Sequence, residues 1–160
     1  MQARSSGNAQ GIDVSRYQGD IDWPKVKADG ISFVFAKATE GISYRDPTFE
    51  SNIAGAKKAG LIVGAYHFLT AKSTEAAKME AANFAGAIKA VGGVHLPPVM
   101  DYENNPAGLG RAAINAIAQT FLREIESLTG AHPMVYTGNS FASNFNASLG
   151  KYPLWIARYG

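Results

Sequence analysis

Six short apolar segments alternate with amphipathic ones along this chain, and the connections between them are brief. The strand-like segments are residues 11–15, 31–38, 61–68, 96–103, 133–137 and 154–158. Each is rich in β-branched and aromatic residues. Between them, Pro24 opens a short helix that Gly30 ends, and Asp46-Pro47 marks a start that Gly60 stops. Ser73 opens an alanine-rich helix ending at Gly92-Gly93, with Ala77, Ala81, Phe84 and Ile88 on one face. Ile114, Ile117, Phe121, Ile125 and Leu128 form the apolar stripe of a long helix closed by Gly130, and Phe141, Phe145 and Leu149 suggest one more short helix. Strand–helix alternation of this kind predicts an α/β fold with a parallel sheet. It is either an open doubly wound sheet or a (β/α) barrel. No glycine-rich phosphate loop follows any strand, which weakens a nucleotide-binding reading.

At 160 residues the chain suits one domain, with residues 1–10 as a polar leader and 11–160 as the folded unit. The leader has no apolar core and does not read as a signal peptide. A net charge of +2 with scattered Lys and Arg argues against nucleic acid as a partner. No apolar run reaches the ~20 residues that span a bilayer, so no membrane insertion is expected. With no cysteine, disulfides and thiolate metal sites are excluded.

Parallel α/β sheets hold their ligands at the carboxyl ends of the strands. Asp13 ends the first strand, Glu40 lies just past the second, and Tyr66 and His67 close the third. Asp101 and Glu103 end the fourth, Tyr136 lies in the fifth, and Trp155 and Tyr159 flank the sixth. One residue apart on a strand, Asp101 and Glu103 point the same way and Tyr102 the other way. Paired carboxylates do not ionise independently, so one holds a proton near neutral pH while the other stays charged. A rim of acids and aromatics suits glycoside chemistry: acids protonate a glycosidic oxygen, and rings stack on sugar C–H faces. Each residue also has a plainer role. Tyr66, Tyr136 and Trp155 serve equally as core residues, Glu40 as a loop acid, and His67 reads as a satisfied core histidine.

The segments GIDVSRYQGDIDW (11–23), FVFAKATEG (33–41), GAYHF (64–68), PVMDYE (98–103), YTG (136–138) and LWIARYG (154–160) resemble, in order, the glycoside hydrolase family 25 muramidases, the Chalaropsis-type lysozymes of phage endolysins and bacterial autolysins. The resemblance implies an irregular TIM-like barrel, here apparently without its last strands. Exposed barrel edges would then invite self-association. It implies cleavage of the β-1,4 bond between N-acetylmuramic acid and N-acetylglucosamine in peptidoglycan, outside the cytoplasmic membrane and without cofactor or metal. Glu103 would be the general acid, holding its proton at rest, with Asp101 and Asp13 assisting. Tyr66, Glu40, Tyr136 and Trp155 would contact substrate. Two alternatives stand beside this: a non-catalytic or inactive wall-binding domain, and a metal-dependent polysaccharide deacetylase built on Asp13, His67 and Asp101.

Overall fold

The computed structural model describes residues 9–157. Most of the segment read as a leader, and Arg158, Tyr159 and Gly160, lie outside the described residues. The strands are β1 (Gln10–Val14), β2 (Ile31–Glu40), β3 (Tyr44–Arg45), β4 (Ile62–Phe68), β5 (Val99–Asp101), β6 (Met134–Gly138) and β7 (Leu154–Ala157). The helices are α1 (Trp23–Ala28), α2 (Phe49–Lys58), α3 (Thr74–Ala90) and α4 (Arg111–Thr129), with short 3-10 turns at Arg16–Gln18, Phe141–Asn144 and Ala147–Leu149. Among the described residues, no helix is long and apolar enough to cross a membrane.

The sheet order is β1-β2-β4-β5-β6-β7, and every neighbouring pair along it is parallel. β3 is a two-residue antiparallel addition to the end of β2. This order decides between the two architectures left open by the alternation. A doubly wound sheet reverses direction at a switch point. Here each new strand adds on the same side, so crossovers of one hand carry the helices to one face. The sheet curls around its other face. Phe35 on β2 and Trp155 on β7 are four strand steps apart, about 19 Å in a flat sheet. Their ring centroids are 6.1 Å apart. The result is a half-barrel, an incomplete form of the TIM-like architecture.

Side-chain parity sorts the two faces. Val14, Val34, Ala36, Ala38, Val63, Ala65, Met100 and Val135 are buried in the apolar core that also holds α2, α3 and α4. Phe84 and Phe121 join α3 to α4 with ring centroids 6.2 Å apart. Burying a side chain of that size contributes roughly 1.5–3 kcal/mol. Gly64 is needed where it stands: a Cβ there would lie 2.5 Å from the Phe35 ring.

Helix starts follow the sequence only in part. Asp22 caps α1 by accepting from Lys25 N at 3.2 Å, and Ser73 caps α3 by accepting from Ala76 N at 3.1 Å. Asp46, expected as the cap of α2, does something else. Thr48 occupies the cap position, and Asp46 is buried two residues upstream. Its Oδ1 accepts from Thr48 N (2.8 Å) and Thr48 Oγ1 (2.6 Å), and its Oδ2 from Arg16 N (3.0 Å). One carboxylate thus ties the loop after β1 to the start of α2.

Candidate active site

A cavity of about 210 Å³ opens on the concave face at the carboxyl ends of the strands. Asp13, Phe35, Tyr66, Val99, Asp101, Glu103, Tyr136 and Trp155 line it. The register explains the gathering. Asp13 stands beside Phe35, Phe68 beside Asp101, Asp101 beside Tyr136, and Tyr136 beside Trp155. Residues two apart on one strand share a face. Tyr66 and Asp101 therefore look inward, while His67 and Met100 look toward the helices.

β5 ends at Asp101, yet the inward–outward alternation continues for two more residues. Tyr102 N donates to Tyr136 O at 3.0 Å, and Thr137 Oγ1 donates to Tyr102 O at 2.6 Å. The Tyr102 ring is buried against Phe141, 4.9 Å between centroids, and Phe145, 6.2 Å. Anchored from both its backbone and its ring, Tyr102 turns Glu103 into the cavity.

Burial is the largest of the causes that push the Asp101 carboxyl from its ordinary 3.8 up to about 9. The hydrogen bond with Glu103 and the Glu103 charge add to it, Lys37 opposes, and Asp13 adds a last contribution. Asp101, the more deeply set member of the pair, thus favours its protonated form. Asp101 Oδ1 is buried without a hydrogen-bond partner among the described residues, so it retains unused acceptor capacity. Burial, then the charges of Asp13, Asp101, Asp46 and Glu103, raises the Tyr66 phenol far above its usual value. Tyr66 thus stays a hydrogen-bond donor among acids. Trp155 stands edge-on to Tyr136, with centroids 5.5 Å apart, and to Phe35. These three rings form an aromatic wall facing the carboxyls.

Glu40 is placed outside this lining. It sits at the end of β2, ion-paired with Lys37 at 2.8 Å. His67 lies on the opposite face from Asp13 and Asp101, bonded to Thr39 Oγ1 (2.6 Å) and Glu80 Oε1 (2.8 Å). The three ligands required by the deacetylase alternative therefore do not converge. Phe35 lines the cavity and is not singled out from the sequence. It sits in a β2 run that is apolar on either face, which hides which side it takes. Lys37, two residues on, shares its parity and opposes the rise at Asp101 from outside the lining.

The Asp101 pKa carries a stability consequence. A carboxyl whose folded pKa lies above its unfolded one binds its proton more tightly when folded. Its contribution is full below about pH 4 and is lost as the pH rises toward about 9. Asp101→Asn removes that loss. The variant is expected to melt above the wild type at pH 8.5, by roughly 1–2 kcal/mol in stability, with the advantage shrinking at pH 4.5. Paired thermal melts at the two pH values test it, and a pH-independent difference would contradict it.

A family model described as "Glycosyl hydrolases family 25" matches residues 12–160. This chain belongs to that family. It is 36% identical to Lysozyme M1 of Streptomyces globisporus over 99% of its own length and 57% of that protein's. It is also 36% identical to the N,O-diacetylmuramidase of Chalaropsis sp., covering 92% of this chain and 76% of the relative. The crystal structure of the bacterial lysozyme from Streptomyces coelicolor superposes with a TM-score of 0.84 at 34% identity, covering 98% of this chain and 76% of that one. The chain thus spans a little over half the length of the Streptomyces globisporus relative. Family 25 membership agrees with the half-barrel and with a cavity at the strands' carboxyl ends.

Proposed function

We propose that this family 25 chain is a peptidoglycan hydrolase, an N-acetylmuramidase. It cuts the β-1,4 bond between N-acetylmuramic acid and N-acetylglucosamine, and so acts on the wall outside the cytoplasmic membrane. The observation that carries the reading is the carboxyl pair, Asp101 and Glu103, set with Asp13 in a cavity walled by Tyr136, Trp155 and Phe35.

The pair suggests how the bond is cut. A nucleophile and an acid flanking a glycosidic bond stand about 5–5.5 Å apart, and an acid and a water-activating base stand wider still. A third route needs no protein nucleophile: the substrate's own acetamido oxygen attacks, and the Asp101–Glu103 pair is read here as serving that route. In this reading the proton held by Asp101 passes along the hydrogen bond to Glu103, and Glu103 gives it to the leaving oxygen. Asp101 is left as a carboxylate. Its unpartnered Oδ1 accepts the acetamido N–H and stabilises the positive charge growing on that group. Water then opens the cyclised intermediate, and Glu103 regains a proton from it. Tyr66 donates to the reacting sugar, Asp13 lines the far side, and the aromatic wall stacks on sugar faces.

The reading is tested by digesting purified wall glycan, reducing the products with borohydride and weighing them. New ends are expected to be N-acetylmuramitol. New ends of N-acetylglucosaminitol, or none at all, would overturn it.

A further inference from the structure

Beside the cavity, on the β1–β2–β4 side, lies a small shelf of alternating cations and rings. The Arg16 guanidinium lies 5.3 Å from the centre of the Tyr17 ring and 5.9 Å from that of Tyr44. The Lys37 ammonium lies 5.5 Å from the Tyr44 ring centre and 5.5 Å from that of Phe68. Tyr44 therefore bridges both cations. Tyr17 is 79% exposed and Tyr44 36%, so the rings gain little from burial where they stand. Lys37 is already paired with Glu40. Among the described residues, no carboxylate forms an ion pair with Arg16.

The shelf is continuous with the cavity through the sheet register. Lys37 stands beside Tyr66, and Phe68 beside Asp101, while Arg16 follows Asp13 by three residues in the loop that Asp46 holds. The charges divide sharply. The cavity presents Asp13, Asp101 and Glu103, which repel an anion. On the shelf next to it Glu40 neutralises Lys37, and Asp46 accepts from the Arg16 backbone, which leaves the Arg16 guanidinium as the shelf's cation without an ion pair among the described residues, set against flat ring faces. A sugar carrying a carboxylate cannot place that group among the cavity's acids, and an unpaired guanidinium is a planar donor matched to a carboxylate.

We propose that Arg16, supported by Tyr17, Tyr44 and Lys37, forms a binding subsite for the carboxylate-bearing substituent of the glycan strand, outside the cavity where the sugar bond is cut. This rests on the hydrolase reading above and deepens it. Two sources supply such a carboxylate: the lactyl ether of a muramyl residue that bears no stem peptide, and the stem peptide itself where one is attached by an amide to that lactyl group. The subsite selects carboxylated strands over neutral ones and sets which sugar of the repeat enters the cavity.

The test compares Arg16→Gln with the wild type on four preparations. These are wall glycan with stem peptides, glycan stripped of them by an amidase, and each of these after its carboxylates are converted to amides. Dissociation constants are measured by calorimetry, and KM and kcat by reducing-end release. Arg16→Gln is expected to raise Kd and KM about three- to tenfold on carboxylated strands, as for a partly solvated ion pair. kcat should stay unchanged, the effect should vanish on the amidated strands, and Arg16→Lys, which keeps the charge without the planar fork, should recover it in part. Loss on stemmed strands alone assigns the stem peptide, loss on stripped strands alone assigns the lactyl carboxylate that the amidase frees, and loss on both means that either carboxylate is accepted; each of these supports the subsite. An equal loss on charged and neutral strands, or no loss on any, overturns it. Failure of the hydrolase reading would show in the wild type releasing no reducing ends, and the Kd comparison decides the subsite independently.

Discussion

Glu103→Gln is expected to lower kcat on wall glycan by about 10²–10⁴-fold, the usual share of a general acid. Glutamine keeps the size and one acceptor oxygen of glutamate but has no proton to deliver. Binding of glycan is expected to survive, because the aromatic wall and Tyr66 are untouched. The substitution has a second readout that a merely structural residue would lack. Two of the causes that raise Asp101, the hydrogen bond and the charge of Glu103, are properties of the glutamate. With glutamine there, burial and the more distant Asp13 remain, and the Asp101 pKa should fall below about 9. The pH window over which Asp101 costs the fold stability then narrows from its upper end. Reducing-end assays and pH-dependent melts check the two parts. A Glu103→Gln enzyme turning over near the wild-type rate would remove Glu103 as the acid and the proton path with it.

Much of this site was legible because strands impose a period of two. Once the alternation implied parallel strands, Asp13, Tyr66, Asp101, Tyr136 and Trp155 could be assigned to one rim, and the structure brings them into one cavity. What parity could not supply was depth. Which of Asp101 and Glu103 is more buried depends on how far the sheet curls and on where β5 stops, and neither is a local property. The same limit hid Phe35, whose segment is apolar on both faces. Asp46 failed differently. Its position before a proline suggests a helix cap, but a long-range partner, the backbone N–H of Arg16, draws it into the loop instead. β3, only Tyr44–Arg45, carries no periodic signal at all and forms because the end of β2 offers it an edge.

His67 shows how a residue beside the site serves the fold. Its ring is fully buried, packed 5.0 Å from Phe121 and 5.6 Å from Phe84. Burial is the first cause that lowers its pKa, with Glu80 opposing. The neutral ring donates from Nε2 to Glu80 and accepts at Nδ1 from Thr39. Glu80, 1% exposed, also accepts from Thr70 N at 3.0 Å and Thr70 Oγ1 at 3.4 Å. One carboxyl therefore fastens α3 to β4 and to the loop after it. Glu80→Ala leaves the buried His67 Nε2–H unanswered at a cost of roughly 1–3 kcal/mol, releases the two donors of exposed Thr70, and opens a void in the core. The expected loss is about 3–5 kcal/mol, or some 10 °C in Tm for a domain of this size. Glu80→Gln, which keeps an acceptor oxygen, should lose less. The sign with pH follows from His67. A base whose folded pKa is depressed contributes stability that is full above its unfolded value near 6.5 and is lost as the pH falls below it. Wild-type melts should therefore show an acid limb below about pH 6.5 that His67→Gln lacks. Because Tyr66 and Phe68 flank His67 on the cavity face, Glu80→Ala should also lose activity at temperatures below its melt. A Glu80→Ala protein that unfolds in urea at the wild-type midpoint would mean that this buried network holds nothing together.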